Sequence, residues 1–335
     1  MTNSFVDNTG EEDYKGKLKQ IAAQLENWTG PIVLISHVEP DGDALGSTLA
    51  LKRALDVMGK ATTLVMDVPG YLQFLVSEEE ISEPLEQLPE NCLLAVLDVE
   101  IGPRAIGAPL EGAAFTLNID HHGSNLRLGD LSCVQPGQAA NAQIIKDLID
   151  LLPINWSVDM ATPCLTGILT DTGNFRYSNT NGAVLKDAAE LMEKGVDYTV
   201  LADRLQWRSQ SYFQLLGKVM STIEYPFDGL AAIAHITTEM ENEVSKADDD
   251  SNDYVGLIRY AEGTKLAIFL KGREDHTKVS VRSRDGVSAQ AICLALGGGG
   301  HVAAAGAKLP LLLEDAKIKV LEEVKKELER HHLLE

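Results

Sequence analysis

The chain has 335 residues, of which 44% are hydrophobic and 24% charged, and its formal net charge is −21. This length exceeds what one hydrophobic core usually serves, so we expect a globular protein of two domains, and the negative charge excludes long nucleic acid as a partner. No run approaches the roughly 18 apolar residues of a membrane span, and the acidic N-terminus lacks signal-peptide features, so we expect no membrane partner and a cytoplasmic location.

The first two hundred residues alternate short apolar runs with helical patterns, which is the spacing of βαβ units and predicts a parallel, Rossmann-like sheet. The run at 92–97 is apolar throughout, as expected for a strand buried on both faces. Helices are expected where apolar residues recur at spacings of three and four. The predicted strands are 31–36, 61–66, 92–97 and 115–119, and the predicted helices are 45–58, 141–152 and 183–194.

A second α/β pattern begins near residue 227. We therefore expect a first domain over 1–205, a linker over 206–226 and a smaller α/β domain over 227–335. An acidic segment at 241–253 is expected to be a solvated loop. Four cysteines without C-x-x-C spacing are expected to be reduced core residues: Cys92, Cys133, Cys164 and Cys293. In the second domain the predicted strands are 230–236, 264–270 and 278–282, and the predicted helices are 287–296 and 313–330.

Potential metal ligands follow the predicted strands at the point where each strand ends. His37, Asp41 and Asp43 fall within seven residues of one another after the first strand. Because the carboxyl ends of parallel strands share one edge of a sheet, we expect such groups to converge. The other strand ends carry Asp98, the triplet Asp120-His121-His122, and Asp171, which follows an apolar run at 165–170 that we interpret as a further strand.

Taken singly, an aspartate at a strand end is typical of a helix cap or a turn, and a lone histidine is typical of a satisfied core residue. Four such ends in one sheet favour a metal site, because clustered carboxylates repel one another unless cations lie between them. Carboxylates with two or three imidazoles suit Mn²⁺ better than zinc or Mg²⁺, although Mg²⁺ or Co²⁺ could substitute. Two ions about 4 Å apart would activate water for attack at phosphorus, which predicts metal-assisted hydrolysis of a phosphate ester.

The triplet Asp120-His121-His122, with His37-x-x-x-Asp41-x-Asp43 before it and Thr170-Asp171-Thr172-Gly173 after it, resembles the DHH phosphoesterase superfamily. The resemblance implies that His37, Asp41 and Asp98 bind one Mn²⁺, and that Asp43, Asp98, His121 and Asp171 bind the other. It further implies that Asp98 bridges the ions, that Asp120 orients a histidine, that His122 points toward the scissile phosphate, and that Asn125 contacts substrate.

The second domain carries Gly297-Gly-Gly-Gly-His301, which resembles the glycine-rich signature of the DHHA1 domain. The glycines would let backbone N–H groups approach a phosphate, and His301 would donate from the side. The segment Arg282-Ser283-Arg284 resembles the family's substrate clamp, since arginine forks suit phosphate oxygens. The substrate-binding set implied for this domain is Arg282, Ser283, Arg284, Gly298, Gly299, Gly300 and His301.

The layout most resembles the branch of the superfamily that degrades very short RNA and removes the 3′-phosphate from 3′-phosphoadenosine 5′-phosphate (pAp). The implied partner is therefore a short nucleotide or oligonucleotide, and a homodimer is compatible with the sequence. Two departures from the family pattern, Glu100 and Gln143, bear on substrate choice. The alternatives are a cyclic dinucleotide phosphodiesterase, an inorganic pyrophosphatase, a RecJ-like exonuclease and a catalytically silent nucleotide sensor.

Overall fold

Six parallel strands in the order β3-β2-β1-β4-β6-β7 form the sheet of the first of two units, with the short β5 antiparallel to β1. The structure, a computed structural model, describes residues 8–244 and 254–334, and its two units divide between Trp207 and Arg208. The strands are β1 Ile32–His37, β2 Thr62–Val65, β3 Ile81–Ser82, β4 Leu93–Leu97, β5 Ala105–Ile106, β6 Phe115–Asp120 and β7 Leu131–Val134.

Helices complete the first unit, and the central strands are buried between two apolar layers. The helices are α1 Asn8–Asn27, α2 Gly42–Val57, α3 Asn141–Ile149, α4 Val158–Asp171, α5 Gly182–Glu193 and α6 Tyr198–Gln206, and short 3-10 helices occupy Gly70–Leu75 and Glu78–Glu80. Every residue of β4 is buried, which is why its sequence is apolar without alternation. The predicted parallel sheet is confirmed.

The prediction of a strand at 165–170 was wrong. The apolar run at 165–170 belongs to helix α4, so Asp171 ends a helix and not a strand. Ser157 caps this helix through a hydrogen bond from the backbone N–H of Met160, and residues on several sides of it are buried against α2, α3 and α5. A helix buried on most of its surface loses the polar stripe that marks helical periodicity, so a short window of it resembles a buried strand.

The second unit is built on a smaller sheet in the order β11-β12-β10-β9-β8, in which only the β8–β9 pair is parallel. Apolar clusters cover its two faces. The predicted smaller α/β domain is confirmed. The elements are α7 Gln210–Met220, β8 Ala231–Ile236, α8 Thr238–Asn242, α9 Tyr254–Ile258, β9 Leu266–Gly272, β10 Thr277–Ser283, α10 Ala289–Ala295, β11 Gly299–His301, β12 Ala304–Leu309 and α11 Leu313–Arg330.

The segment 206–226, interpreted from sequence as a linker, contains α7, whose Leu215 and Val219 pack in the core of the second unit. The acidic segment 241–253 begins at the end of α8, and from residue 245 onward it lies outside the described residues. All four cysteines fall in the described ranges and are buried and unpaired. None of the described helices is long and apolar enough to cross a bilayer.

Candidate metal centre

Three adjacent strands of the first unit end at one place on the edge of its sheet. β1 ends at His37, β4 is followed directly by Asp98, and β6 ends at Asp120, the first residue of the Asp-His-His triplet. The pairing of β1 with β4 and of β4 with β6 is parallel, so these ends lie side by side. The expected convergence of strand ends is therefore met for three of the four segments, and the fourth group, Asp171, reaches the edge from α4.

The close packing of α2 against α4 brings Asp171 to the other ligands. A Cβ added at Gly46 would lie 2.3 Å from the carbonyl oxygen of Pro163, and one added at Gly167 would lie 2.6 Å from Oδ1 of Asp43. Only glycine at these two positions lets the helix backbones approach so closely. The first turn of α2 and the last residue of α4 are thereby held opposite each other.

Asp41 and Asp43 are fixed by hydrogen bonds to helix N-termini. Oδ1 of Asp41 accepts from the backbone N–H groups of Asp43 at 2.9 Å and Ala44 at 3.1 Å, which caps α2. Asp43 caps a different helix: it accepts from the N–H groups of Asn141 at 2.5 Å and Ala142 at 2.9 Å, at the start of α3. The residue at the N-cap position of α3 is Ala140, whose side chain has no acceptor.

Backbone carbonyl groups set the orientation of two histidines. Nδ1 of His37 lies 2.9 Å from the carbonyl oxygen of Val38, and Nδ1 of His121 lies 3.3 Å from that of Gln138. Since a carbonyl only accepts, Nδ1 carries the proton in both rings, and Nε2 is the nitrogen that faces the carboxylates. A histidine held in this way through its other nitrogen is the usual arrangement of a metal ligand.

The ligand atoms form three overlapping groups, of which two contain Asp98 and two contain His121. Nε2 of His37 lies 3.7 Å from Oδ2 of Asp98, and Nε2 of His121 lies 3.4 Å from Oδ1 of Asp98. Nε2 of His121 is also 3.4 Å from Oδ2 of Asp171 and 3.8 Å from Oδ2 of Asp43. Potential ligand atoms lie within 4.8 Å of one another in the groups His37–Asp41–Asp98, Asp43–His121–Asp171 and Asp98–His121–His122.

Burial and mutual repulsion perturb the pKa of these groups strongly. Burial and the charge of Asp98 raise the pKa of Asp43 well above its ordinary value, and burial and the charge of Asp43 do the same for Asp171. Burial alone would lower the pKa of His121, but the carboxylates of Asp98 and Asp43 outweigh it and raise the pKa to about 10. Burial also opposes the charged form of His37, yet Asp98 chiefly raises its pKa to about 9.

These perturbations fit a cation site. The protons held on Nε2 of the two histidines are those that a metal ion would replace. Oδ1 of Asp98 and Nε2 of His121 are buried and have no hydrogen-bond partner among the residues that the structure describes. Buried polar atoms of this kind normally have partners, so their pairing across 3.4 Å supports a bound cation. The donor set of carboxylates and two imidazoles suits divalent metals.

His122 is held differently from His121. Its Nδ1 lies 2.7 Å from Oδ1 of Asp120, which also accepts from the backbone N–H of His122 at 3.0 Å. The carboxylate therefore fixes the proton on Nδ1 and leaves Nε2 away from Asp120, on a side chain that is 39% exposed. Asp120 is fully buried, and both of its oxygens are occupied by His122 and Asn125. It can orient His122 but has no free side facing a metal.

Two asparagines lie behind Asp120, and sequence reasoning named only one of them, Asn125. Asn125, which the resemblance assigned to substrate contact, is 5% exposed and donates through Nδ2 to Asp120 at 2.6 Å and Asn118 at 2.9 Å. Asn118 is fully buried within β6. A polar residue inside an apolar strand was the one available signal of its role.

Gln143, a departure from the family pattern, is buried and does not face solvent. Its Oε1 accepts from the backbone N–H of Ala139 at 2.8 Å, and its Nε2 donates to Asp187 at 2.5 Å. It therefore braces the loop that carries Gln138 and Ala140, next to His121 and Asp43. Glu100, the other departure, is partly exposed.

In the second unit, the predicted clamp lies where β10 ends. The Ser283 hydroxyl is internal, donating to the carbonyl oxygen of Val302 at 2.9 Å. Nη1 of Arg282 donates to the carbonyl oxygen of Val281 at 3.2 Å, and Arg284 donates to that of Arg259.

The predicted glycine cradle forms the edge strand β11, which pairs with β12 through Gly299, Gly300 and His301. A Cβ at Gly298 would lie 2.1 Å from the carbonyl oxygen of Gly306, and one at Gly300 would lie 2.6 Å from Cα of Ala305, so both positions require glycine for this approach. The His301 side chain lies outside the described residues.

Comparison with known proteins identifies the family. Residues 31–168 match the DHH family, N-terminal domain, and residues 231–330 match the DHHA1 domain. The chain is 52% identical to the bifunctional oligoribonuclease and PAP phosphatase NrnA of Thermus thermophilus, over 96% of this chain and 98% of that protein. It is 26% identical to the cyclic-di-AMP phosphodiesterase PdeA of Listeria monocytogenes, over 87% of this chain and 47% of that protein.

The fold has a counterpart among solved structures. The crystal structure of an exopolyphosphatase-related protein from Bacteroides fragilis matches with a TM-score of 0.82 at 22% identity, covering 95% of this chain and 96% of that one. Since the sequence match to the Thermus protein also extends over nearly the whole of both chains, this chain belongs to the DHH family and is a hydrolase of phosphate esters.

Proposed function

We propose that the chain hydrolyses short oligoribonucleotides and removes the 3′-phosphate from pAp, using two metal ions held by the first unit. The observation that carries this proposal is that two ligand groups share Asp98 beside a histidine whose Nε2 faces away from its own carboxylate partner. The 52% identity to a protein named for both activities supports the choice of substrates.

The proposed metal is Mn²⁺. His37, Asp41 and Asp98 would hold one ion, and Asp43, Asp98, His121 and Asp171 the other. A set of carboxylates with one imidazole at each position suits Mn²⁺, since zinc favours more nitrogen and sulfur and Mg²⁺ binds few imidazoles. Bound divalent cations would neutralise charge on the phosphoryl group and lower the pKa of the attacking water.

His122 is proposed to act on the substrate directly. Asp120 holds Nδ1, so Nε2 would donate to a phosphoryl oxygen or to the leaving group when the ring carries a proton on both nitrogens. Asp120 would contribute by keeping the ring in this tautomer and by stabilising its charged form, because Asp120 is itself kept ionised: burial raises its pKa, but hydrogen bonds from His122 and Asn125 bring it below the ordinary value.

The second unit is proposed to hold the distal part of the substrate. Arg282 and Arg284, Ser283, the glycines 298–300 and His301 are the residues proposed for this role, and the proposed boundaries are 1–205, 206–226 and 227–335. We also propose a cytoplasmic location, which is consistent with four buried thiols.

A direct test is to incubate the purified chain with Mn²⁺ and one substrate at a time, and to measure released phosphate and mononucleotide. The substrates are pAp, a diribonucleotide, cyclic-di-AMP and pyrophosphate. Turnover of pAp and the dinucleotide is expected. The similarity to PdeA makes cyclic-di-AMP the second candidate, and consumption of that compound alone would replace our assignment with it. No product from pAp or the dinucleotide at saturating Mn²⁺ would refute the proposal.

The matched pair for this assay is Asp98→Asn and Asp159→Asn. Both replace an aspartate of the first unit by its amide, but Asp98 is 2% exposed at the centre of both ligand groups, whereas Asp159 lies exposed in the first turn of α4. Asp98→Asn is expected to abolish turnover, and Asp159→Asn to leave it unchanged.

A further inference from the structure

Asn118 is an unusual residue for its position in the sheet. It lies in β6, between β4 and β7, and is fully buried. Its neighbours Leu117 and Ile119 are apolar core residues. A buried amide must find partners for two N–H groups and one oxygen, and all three of these are satisfied in the structure.

The amide N–H groups of Asn118 form hydrogen bonds to the turn that contains Asp98. Nδ2 donates to the carbonyl oxygen of Val96 at 3.0 Å and to that of Val99 at 2.7 Å, one on each side of Asp98. The backbone of Asp98 has a φ of +59°, in the left-handed region that is uncommon for residues other than glycine, although aspartate adopts it more readily than most. Such a conformation persists only where its surroundings hold it. The two hydrogen bonds from Asn118 therefore help to fix where the Asp98 carboxylate points.

The acceptor end of Asn118 leads to His122. Its Oδ1 accepts from Nδ2 of Asn125 at 2.9 Å, and the same Nδ2 donates to Oδ2 of Asp120 at 2.6 Å. Asp120 in turn holds Nδ1 of His122. Two carbonyl groups at one end and a carboxylate at the other leave each amide one orientation, so the direction of every hydrogen bond in the series is fixed.

We propose that Asn118 is a positioning residue that acts on both halves of the centre, setting the Asp98 carboxylate through its amide N–H groups and the His122 ring through Asn125 and Asp120. This inference rests on the proposed function for its catalytic consequence only. The geometric part concerns Mn²⁺ affinity and the protonation of a histidine ring, and both can be measured without substrate.

Three substitutions separate the effect of Asn118 on Asp98 from its effect on His122. Asn118→Asp keeps the shape and an acceptor for Asn125 but removes both amide N–H groups that donate to Val96 and Val99, and leaves at most the single O–H of a protonated carboxyl in their place. Asn125→Leu leaves that donation intact and removes the link to Asp120. Asn118→Leu removes both. The control is Trp28→Phe, which deletes a partly buried hydrogen bond of 3.2 Å to the carbonyl oxygen of Pro31 in the same unit, at the opposite end of β1 from His37.

Mn²⁺ dissociation constants would be measured by calorimetric titration, and the His122 tautomer by ¹⁵N NMR of metal-free, ¹⁵N-histidine-labelled protein. Asn118→Asp is expected to weaken Mn²⁺ binding about 10- to 100-fold, the usual effect of losing a residue that orients a ligand, and to keep His122 protonated on Nδ1. Asn125→Leu is expected to bind Mn²⁺ as the wild type does, to mix the His122 tautomers and to lower kcat with little change in KM.

Asn118→Leu is expected to combine both losses, and Trp28→Phe to show neither. Circular dichroism and thermal unfolding establish which variants are folded. If Asn118→Leu does not fold, the other two variants still decide the question. The proposal is overturned if folded Asn118→Asp binds Mn²⁺ as tightly as the wild type, or if Asn125→Leu weakens Mn²⁺ binding as much as Asn118→Asp does. It is also overturned if the His122 tautomer is unchanged in Asn125→Leu.

Discussion

Replacing Gly167 by alanine tests whether the contact between α2 and α4 positions the centre. The new Cβ would lie 2.6 Å from Oδ1 of Asp43 and 2.7 Å from Cβ of Ala142, whereas ordinary contacts begin near 3.4 Å. The facing groups would have to move by about 0.8 Å, the difference between these distances. Overpacking of this kind costs about 1–3 kcal/mol of folding free energy. A displacement approaching 1 Å near reacting groups can lower the rate about 10²-fold.

Gly217→Ala is the matched control, because Gly217 is interior to α7 and a Cβ there would meet nothing within 4 Å. That change is expected to stabilise the chain by about 0.5–1 kcal/mol, since alanine loses less backbone entropy in a helix. Urea unfolding would give the free energies, and Mn²⁺ titration with pAp hydrolysis would report the centre. Wild-type Mn²⁺ affinity and stability in Gly167→Ala, or equal destabilisation by Gly217→Ala, would refute the reasoning.

Three further predictions follow from other contacts. Hydrogen bonds from Arg53 outweigh burial and lower the pKa of Glu80 from 4.5 to about 2, so its carboxylate stabilises the fold above about pH 4.5 and loses this effect as pH falls toward 2. Glu80→Gln is expected to cost about 1–3 kcal/mol at pH 7 and progressively less below pH 4.5, by urea unfolding; a difference independent of pH would contradict this.

Lys146 is nearly buried, with its Nζ 2.6 Å from Glu190 and 3.1 Å from Asp150. Lys146→Met is therefore expected to lower the free energy of unfolding by about 3 kcal/mol. Lys186→Met, at a side chain 76% exposed, should lower it by under about 0.5 kcal/mol. Mn²⁺ at about 100 times its dissociation constant should stabilise the wild type by about 2.7 kcal/mol for each ion bound, and Asp98→Asn should show no such gain in thermal unfolding.

The sequence located much of the fold and of the site because both follow from local patterns. Three buried strands and the ligands after them share one edge whatever the remaining chain does. The place of Asp171 beside the other candidate ligands could be anticipated while its element could not, since α4 is buried on several sides and its apolar run carries no helical stripe. Asn118 was missed because the pairing of β4 with β6 brings Val96 to it, while Val99 and Asn125 reach it from the loops that follow those two strands.

For a single aspartate, capping a helix and binding a metal are competing interpretations. At this centre the two roles are compatible. Asp41 and Asp43 each cap a helix, and the same hydrogen bonds aim their carboxylates at the histidines. The N-termini of α2 and α3 place partial positive charge there, which offsets some of the repulsion among the carboxylates.

Asp171 has the opposite surroundings, since it ends α4, where the helix terminus carries partial negative charge. Burial, Asp43 and Asp41 together hold its pKa well above the ordinary value. Asp171, like Asp43, therefore needs a nearby cation to remain ionised at neutral pH. Loss of the Asp171 carboxylate should therefore weaken Mn²⁺ binding, and should remove a buried group that Asp43 and Asp41 repel in the metal-free fold. Asp171→Asn is expected to be at least as stable as the wild type without metal and less stable than the wild type with Mn²⁺.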